Sequence, residues 1–242
     1  MKKILVIMLA MVLTLVTSAC MVSNKNNEEI GIVTNENITV TLNGNELVFD
    51  QEPIARHEDA LVPFRPFLKA MGVNAFLDPV GFSAIQFSIN CIKDDTYVRL
   101  ECMYGEFAED GNDWWEMTKT TDFENFIPIE MELSPIIYNG IPFIPVRVLA
   151  EAFGGKVSWD DATKTIAIKG DTSGFLLPDE EREAVENFTW ADAAAKAEAA
   201  GYKLDDNIEH REMAKYDSYS KYFEYFSTDG MIIVRPYGTI DQ

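Results

Sequence analysis

The chain has 242 residues, 47% of them apolar, enough to bury a sizeable core as one large domain or two small ones. It carries 20 basic and 40 acidic side chains, a net charge of −20. Such a surface repels phosphate backbones and anionic lipid, which argues against nucleic acid and against a membrane held by charge, and it favours cationic peptides, basic proteins and metal ions as neighbours.

The first segment reads as an export leader. Lys2 and Lys3 precede an apolar run from Ile4 to Val16, and Thr17-Ser18-Ala19-Cys20 closes it. The run is shorter than the ~20 residues a spanning helix needs. A cysteine directly after small residues resembles a lipobox, with Thr17 where that motif usually has Leu. The resemblance implies a lipoprotein signal over 1–20, with Cys20 lipidated and two acyl chains anchoring the protein at the outer face of the cell membrane. An ordinary signal peptide, giving a secreted protein, and an uncleaved anchor are the alternatives. Residues 21–36 are polar and Asn/Glu-rich and read as a tether.

A hairpin follows. Ile38–Leu42 alternates, Asn43-Gly44 supplies turn residues, and Leu47-Val48-Phe49 resumes the β-prone pattern. Farther on, Lys93-Asp94-Asp95-Thr96 reads as a turn between two strands whose paired positions sum to about 189. That register sets Cys91 opposite Val98 and Cys102 opposite Phe87, roughly 13 Å apart at the usual strand rise. A disulfide needs Cα atoms within about 7 Å, which favours two free, half-buried thiols over a bridge.

The stronger pattern is a repeat at an offset of 82 residues. Pro53 falls on Pro135, Ile54 on Ile136, Pro63 on Pro145, Arg65 on Arg147, Ala70 on Ala152, Gly72 on Gly154 and Asp78 on Asp160, without a gap. Each copy predicts a short strand ending at Pro-x-Arg, a helix of about two turns with Pro at its first position, a Gly cap, and an extended segment running to an Asp turn. Neither copy can bury the apolar face of its helix alone, so the two should share one core. Phe64, Leu68 and Met71 should meet Val148, Leu149 and Phe153.

Residues 139–170, NGIPFIPVRVLAEAFGGKVSWDDATKTIAIKG, resemble the copper amine oxidase N-terminal-like, or stalk, domain carried by many secreted proteins of Gram-positive bacteria. Residues 61–78, LVPFRPFLKAMGVNAFLD, are similar to the same string, departing from it at Pro66, Lys69, Asn74 and Phe76-Leu77. The resemblance extends over 37–170 and implies a small α+β module used as a spacer or binding unit at the cell surface. It does not bring an oxidase activity. The chain has no Asn-Tyr dipeptide for cofactor formation and only His57 and His210 as candidate copper ligands, so no cofactor and no metal site is assigned.

Several motifs carry two readings. Arg65 and Arg147 form an anion site, or they lock each helix start to a carboxylate or carbonyl. Asp160-Asp161 with Thr163 reads as a turn more readily than as a metal loop. Residues 101–132 hold ten acidic side chains and one basic, Lys119, around Trp114 and Trp115. Part of this stretch looks inserted. Its tryptophans either form a sugar- or peptide-binding platform in an acidic loop, or one of them packs on the domain. The 109–113 run matches no regular calcium-loop spacing. No nucleophile–base pair stands out, so no catalytic residue is assigned.

Residues 171–242 read as a separate small α+β unit. Pro178-Asp179-Glu180-Glu181 starts a short helix, Thr189-Trp190-Ala191-Asp192 resembles a capping box, and Ser227–Gly230 turns a hairpin. Tyr216, Tyr219, Tyr222, Phe223, Tyr225 and Phe226 make either a core or an exposed partner strip. The expected fold class is α+β: two half-repeats of short strands plus a short helix sharing one core, with a small C-terminal α+β appendix. The expected function is non-catalytic binding or spacing, toward a cell-envelope polymer or protein. A wall-acting hydrolase with its site in the C-terminal part is the alternative.

Overall fold

The computed structural model describes residues 37–56, 58–78, 85–103, 114–203, 215–216, 221–227, 230–237 and 240–241. Cys20, the tether, His57, His210, Tyr219 and the 109–113 run lie outside them. Over the described residues the fold is α+β, with four helices and four small sheets. No helix there is long and apolar enough to cross a membrane.

β1 (Thr39–Leu42) turns at Asn43-Gly44, both at positive φ, into β2 (Asn45–Glu46). The first repeat is β3 (Ile54–Arg56), β4 (Asp59–Pro63), α1 (Phe64–Ala70) and β5 (Asn74–Asp78). After β6 (Ile85–Lys93), β7 (Thr96–Met103), β8 (Trp114–Thr120) and β9 (Ile127–Pro128) comes the second: β10 (Ile136–Tyr138), β11 (Ile141–Pro145), α2 (Val146–Ala152) and β12 (Lys156–Asp160), closed by β13 (Thr165–Lys169). All four elements recur at the offset of 82. Pro63 and Pro145 sit one residue earlier than the sequence suggests: each ends its strand and caps its helix in extended conformation.

Both helices end alike. Val73 N donates to Leu68 O and Gly72 N to Lys69 O; Gly155 N donates to Ala150 O and Gly154 N to Glu151 O. These are Schellman caps, with Gly72 at φ +73° and Gly154 at φ +79°. The halves join through antiparallel β4 and β11, whose register pairs Leu61 with Pro145, Val62 with Ile144 and Pro63 with Phe143. Val62 faces its own repeat equivalent, so a pseudo-twofold axis passes between them. One core follows from that symmetry: Val62, Phe64, Phe67, Leu68 and Met71 are buried in the same cluster as Ile144, Val146, Leu149 and Ala152. Val148 and Phe153 pack on it half-buried.

The copies then diverge in what they join. β12 is an edge strand of the sheet β12-β13-β1-β2, with β13 parallel to β1. β5 is an edge strand of the five-stranded sheet β5-β6-β7-β8-β9. In that sheet Cys91 pairs with Val98 and Cys102 with Phe87; neither is in a disulfide, and both are more deeply buried than half. Burial pushes the Cys91 thiol far above its ordinary range.

Residues 170–178 run across the first copy before α3 (Asp179–Asn187) and α4 (Trp190–Ala199). A Cβ on Gly174 would lie 2.1 Å from Gly72 O, so the two chain segments touch backbone to backbone. Buried Lys93 spans the contact, donating to Met71 O and Asp171 O. Thr189 and Asp192 form the capping box of α4, which packs on the antiparallel sheet β14 (Lys215–Tyr216), β15 (Lys221–Ser227), β16 (Gly230–Val234). Trp190 stacks on Tyr225 at 3.8 Å, and Ala193, Ala197, Phe223, Ile232 and Val234 complete a second core. Tyr216, Phe223 and Tyr225 are therefore buried, not an exposed strip.

Candidate site on the polar face of the five-stranded sheet

Side chains alternate across β5–β9. One face feeds the main core through Ala75, Ile89, Cys91, Val98, Leu100 and Met117. The other carries Phe76 and Asp78 of β5, Ser88 and Asn90 of β6, Tyr97, Arg99 and Glu101 of β7, and Trp114, Glu116 and Thr118 of β8, aligned by the registers Asn90–Arg99–Thr118 and Ser88–Glu101–Glu116. This polar, partly covered face is the principal candidate for function.

Its inner end is closed. Asp78 accepts from Lys221 Nζ at 2.9 Å and Tyr216 OH at 3.0 Å, and Lys221 also donates to Glu186 O. Asp78 is 8% exposed and Lys221 3%. Beside them Tyr97 OH donates to Asn90 Oδ1 at 2.7 Å, and Asn90 Nδ2 to Ser88 Oγ. Burial raises both tyrosine hydroxyls above their ordinary range, with the Asp78 carboxylate adding to it at Tyr216. Tyr97 also stacks on Phe123, which a turn held by Asp122 lays over it. Asp122 accepts from Thr120 Oγ1, Glu124 N, Asn125 N and Asn125 Nδ2, which hold its carboxyl well below the usual range. Ser88 Oγ accepts from Asn90, and Glu101 stands opposite Ser88 in the register. This end is a structural lock between sheet and C-terminal unit.

Among the described residues the outer end is the less covered one: Glu116 is exposed and Trp114 half-buried, while Arg99 and Glu101 are largely buried. Arg99 Nη2 lies 2.6 Å from Glu101 Oε1, while Arg99 Nε is buried without a partner. Glu101 stands directly opposite Glu116. Burial raises the Glu101 carboxyl; Arg99 opposes the shift and Glu116 adds to it. Trp114 Nε1 donates to Glu116 Oε1 at 3.3 Å.

The two tryptophans open a strand instead of sitting in a loop, and consecutive strand residues face opposite ways. Trp114 belongs to the polar face. Trp115 packs on the core side, edge-on to Phe87 at 5.3 Å. They do not form a joint platform. Arg65 and Arg147 behave as helix-start locks: Arg65 Nη1 donates to Ala75 O and Arg147 Nη1 to the equivalent Val157 O. Asp160 Oδ1 accepts from Ala162 N and Thr163 N and makes a turn. Asp78, its repeat equivalent, is instead a buried ion-pair member. No group of three metal-ligating side chains occurs among the described residues.

A comparison with known protein families bears on residues 124–195. They match the copper amine oxidase N-terminal domain. The matched range takes in the second repeat and continues through α3 into α4, so it spans the strap at 170–178 and does not reach the first repeat. What is matched is the N-terminal domain of such oxidases, not a catalytic domain. No curated protein and no solved structure matches the chain significantly.

The residues that sequence reasoning missed are Asp78, Lys221, Arg99, Glu101 and Glu116. Alternation along β6–β8 does mark a polar face, since Ser88, Asn90, Arg99 and Glu101 recur at every second position.

Proposed function

We propose that the chain is a non-catalytic binding or spacer protein of the cell envelope, held to the outer face of the membrane through lipid at Cys20, with Trp114, Glu116, Glu101 and Arg99 as its ligand-contacting surface. The observation that supports this is the split of one sheet face into a sealed end and, among the described residues, a less covered one. The less covered end sets an aromatic ring beside two facing carboxylates and a guanidinium, with Glu116 exposed. Aromatic rings offer a stacking face to sugars, and the paired carboxylates favour a cationic or amino-bearing ligand. Trp114 alone, not the tryptophan pair, supplies the ring.

The test compares Trp114→Ala with Trp115→Ala. Trp114→Ala should abolish binding to isolated cell wall while moving the melting temperature by only a few degrees, about what a half-exposed side chain contributes. Trp115→Ala should lower stability by roughly 1–3 kcal/mol through lost core contacts. Full wall binding by Trp114→Ala refutes the assignment.

The facing glutamates favour a second reading, a wall-acting hydrolase, because a raised carboxyl beside a second carboxylate is the arrangement of an acid/base pair. Turnover of wall polymer that is lost in Glu101→Gln would establish it.

A further inference from the structure

The polar face of the five-stranded sheet already docks one partner, the C-terminal sheet, at its inner end. That sheet presents a cation and an aromatic ring side by side: Tyr216 and Lys221 are paired directly across β14–β15. Lys221 meets the Asp78 carboxylate at 2.9 Å, and the Tyr216 ring packs 6.0 Å from Phe76 and 5.9 Å from Tyr97. The aromatic cluster does not stop there. Tyr97 pairs with Thr120 of β8, and one step along the β8–β9 register lies Phe126, whose ring meets Tyr97 edge-on at 5.7 Å. Phe126 is 43% exposed and Ile127 66%, so one continuous cluster is buried at Tyr216 and exposed at its other end.

β9 carries this face to the edge of the sheet. Thr118 pairs with Pro128, and Ile129 N donates to Met117 O, which continues the pairing and brings Glu130 beside Glu116. Ile129 and Met131 pack on the main core, so Glu130 and Glu132 turn the other way, and both are exposed. Glu101 has Arg99 as its cation, whereas Glu116, Glu130 and Glu132 are in no ion pair with a described residue; Glu116 accepts the Trp114 Nε1–H. Lys119, the one base between Glu101 and Glu132, sits on the core side and donates to Ala152 O. Carboxylates side by side on neighbouring strands repel, and a cation between them removes that cost. Alternate residues of a strand lie about 7 Å apart, so an extended chain with a cation at every second position matches the spacing of Glu130 and Glu132. Strand addition at the edge is not the mode. Ile129 bonds inward, which leaves Pro128 facing outward, and it has no N–H to give. The contact is made by side chains laid on the face.

We infer that the outer end of this face, from Trp114 across to Phe126, docks an extended basic segment of a partner protein. Its alternate cations meet Glu116, Glu130 and Glu132, and an aromatic or apolar side chain covers Phe126, as Lys221 and Tyr216 do at Asp78 and Tyr97. A second copy of this chain is disfavoured as the occupant, since two chains of net charge −20 repel. The inference rests on the reading of the Trp114 surface and deepens it: it names the partner's chemistry and adds β9, which that reading does not use.

The probe is a synthetic peptide of about ten residues that alternates lysine with threonine and ends in tyrosine, titrated into the full-length protein by calorimetry. Saturable binding is expected at low salt with a dissociation constant on the order of 1 mM or tighter, weakening as added salt screens the carboxylates. Phe126→Ala, and the double variant Glu116→Gln with Glu130→Gln, change exposed side chains; each should weaken binding at least about tenfold and move the melting temperature by only a few degrees. A peptide of the same composition with its lysines consecutive should bind several-fold more weakly, because alternate cations then face away from the sheet. That comparison changes nothing in the protein, so folding does not enter it. No saturable binding, equal binding of the consecutive-lysine peptide, or full binding by either variant overturns the inference. So does an oligoglucosamine that binds where the peptide does not, or a dimer of this chain that Phe126→Ala dissociates. Wall binding lost in Trp114→Ala together with an inert peptide leaves the Trp114 reading standing and refutes this one.

Discussion

Replacing Lys221 by Met is the most searching perturbation of the fold, because it acts on a bond that crosses 143 residues of sequence. Lys221 and Asp78 are both buried, and the methionine side chain nearly matches the lysine stem in volume, so packing changes little. What changes is the charge left behind on Asp78. Removing one member of a buried ion pair costs about 3–5 kcal/mol, since the remaining charge is desolvated without compensation. Tyr216 OH still donates to Asp78, which places the expected loss at the lower end, about 3 kcal/mol. For a chain of this size that is a drop of roughly 6–12 °C in melting temperature. Urea unfolding gives the free energy directly. The double variant Asp78→Asn with Lys221→Met removes both charges and should recover most of the loss. A single variant within about 0.5 kcal/mol of the parent would show that the C-terminal sheet does not seal the polar face. A double variant no better than the single one would show that uncompensated charge is not the cause.

Three further outcomes are expected. Gly174→Ala places a methyl group against Gly72 O and should cost about 1–3 kcal/mol by forced separation of the two segments, with faster proteolysis inside 170–178 as the direct readout. Glu101 has its carboxyl raised by burial, so the folded state binds a proton the unfolded state has released; stability should fall as pH rises from the ordinary glutamate range through the raised value, and Glu101→Gln should flatten that slope in urea titrations. Over the same window a cationic ligand at Trp114 should bind more tightly as pH rises, because only the ionised carboxylate attracts it.

Much of this architecture is legible in the sequence where the determinants are local. Asn43-Gly44 turns, the Thr189–Asp192 capping box forms, and the turn at Asp94 fixes the register that keeps Cys91 from Cys102. The offset of 82 carries strand, helix and cap from one copy to the other because each repeated residue has a conformational task of its own. The strand Trp114–Thr120 is not legible locally, because acidic composition masks it and its pairing partner, β7, supplies the order; of the two sequence readings, the one in which a single tryptophan packs on the domain agrees with Trp115.

The sequence by itself determines the repeat, its shared core and the unlike residues at Lys69, Asn74 and Phe76. In one dimension those look like wear. Only the tertiary structure decides that they are a contact face, because their partners, Asp179, Phe175 and Val185, lie about a hundred or more residues away, where no local pattern couples them. The same holds for Asp78 and Asp160, equivalent in the repeat but opposite in fate. One is buried against a lysine from the C-terminal sheet and the other closes an exposed turn, because burial is set by what the rest of the chain brings to each copy.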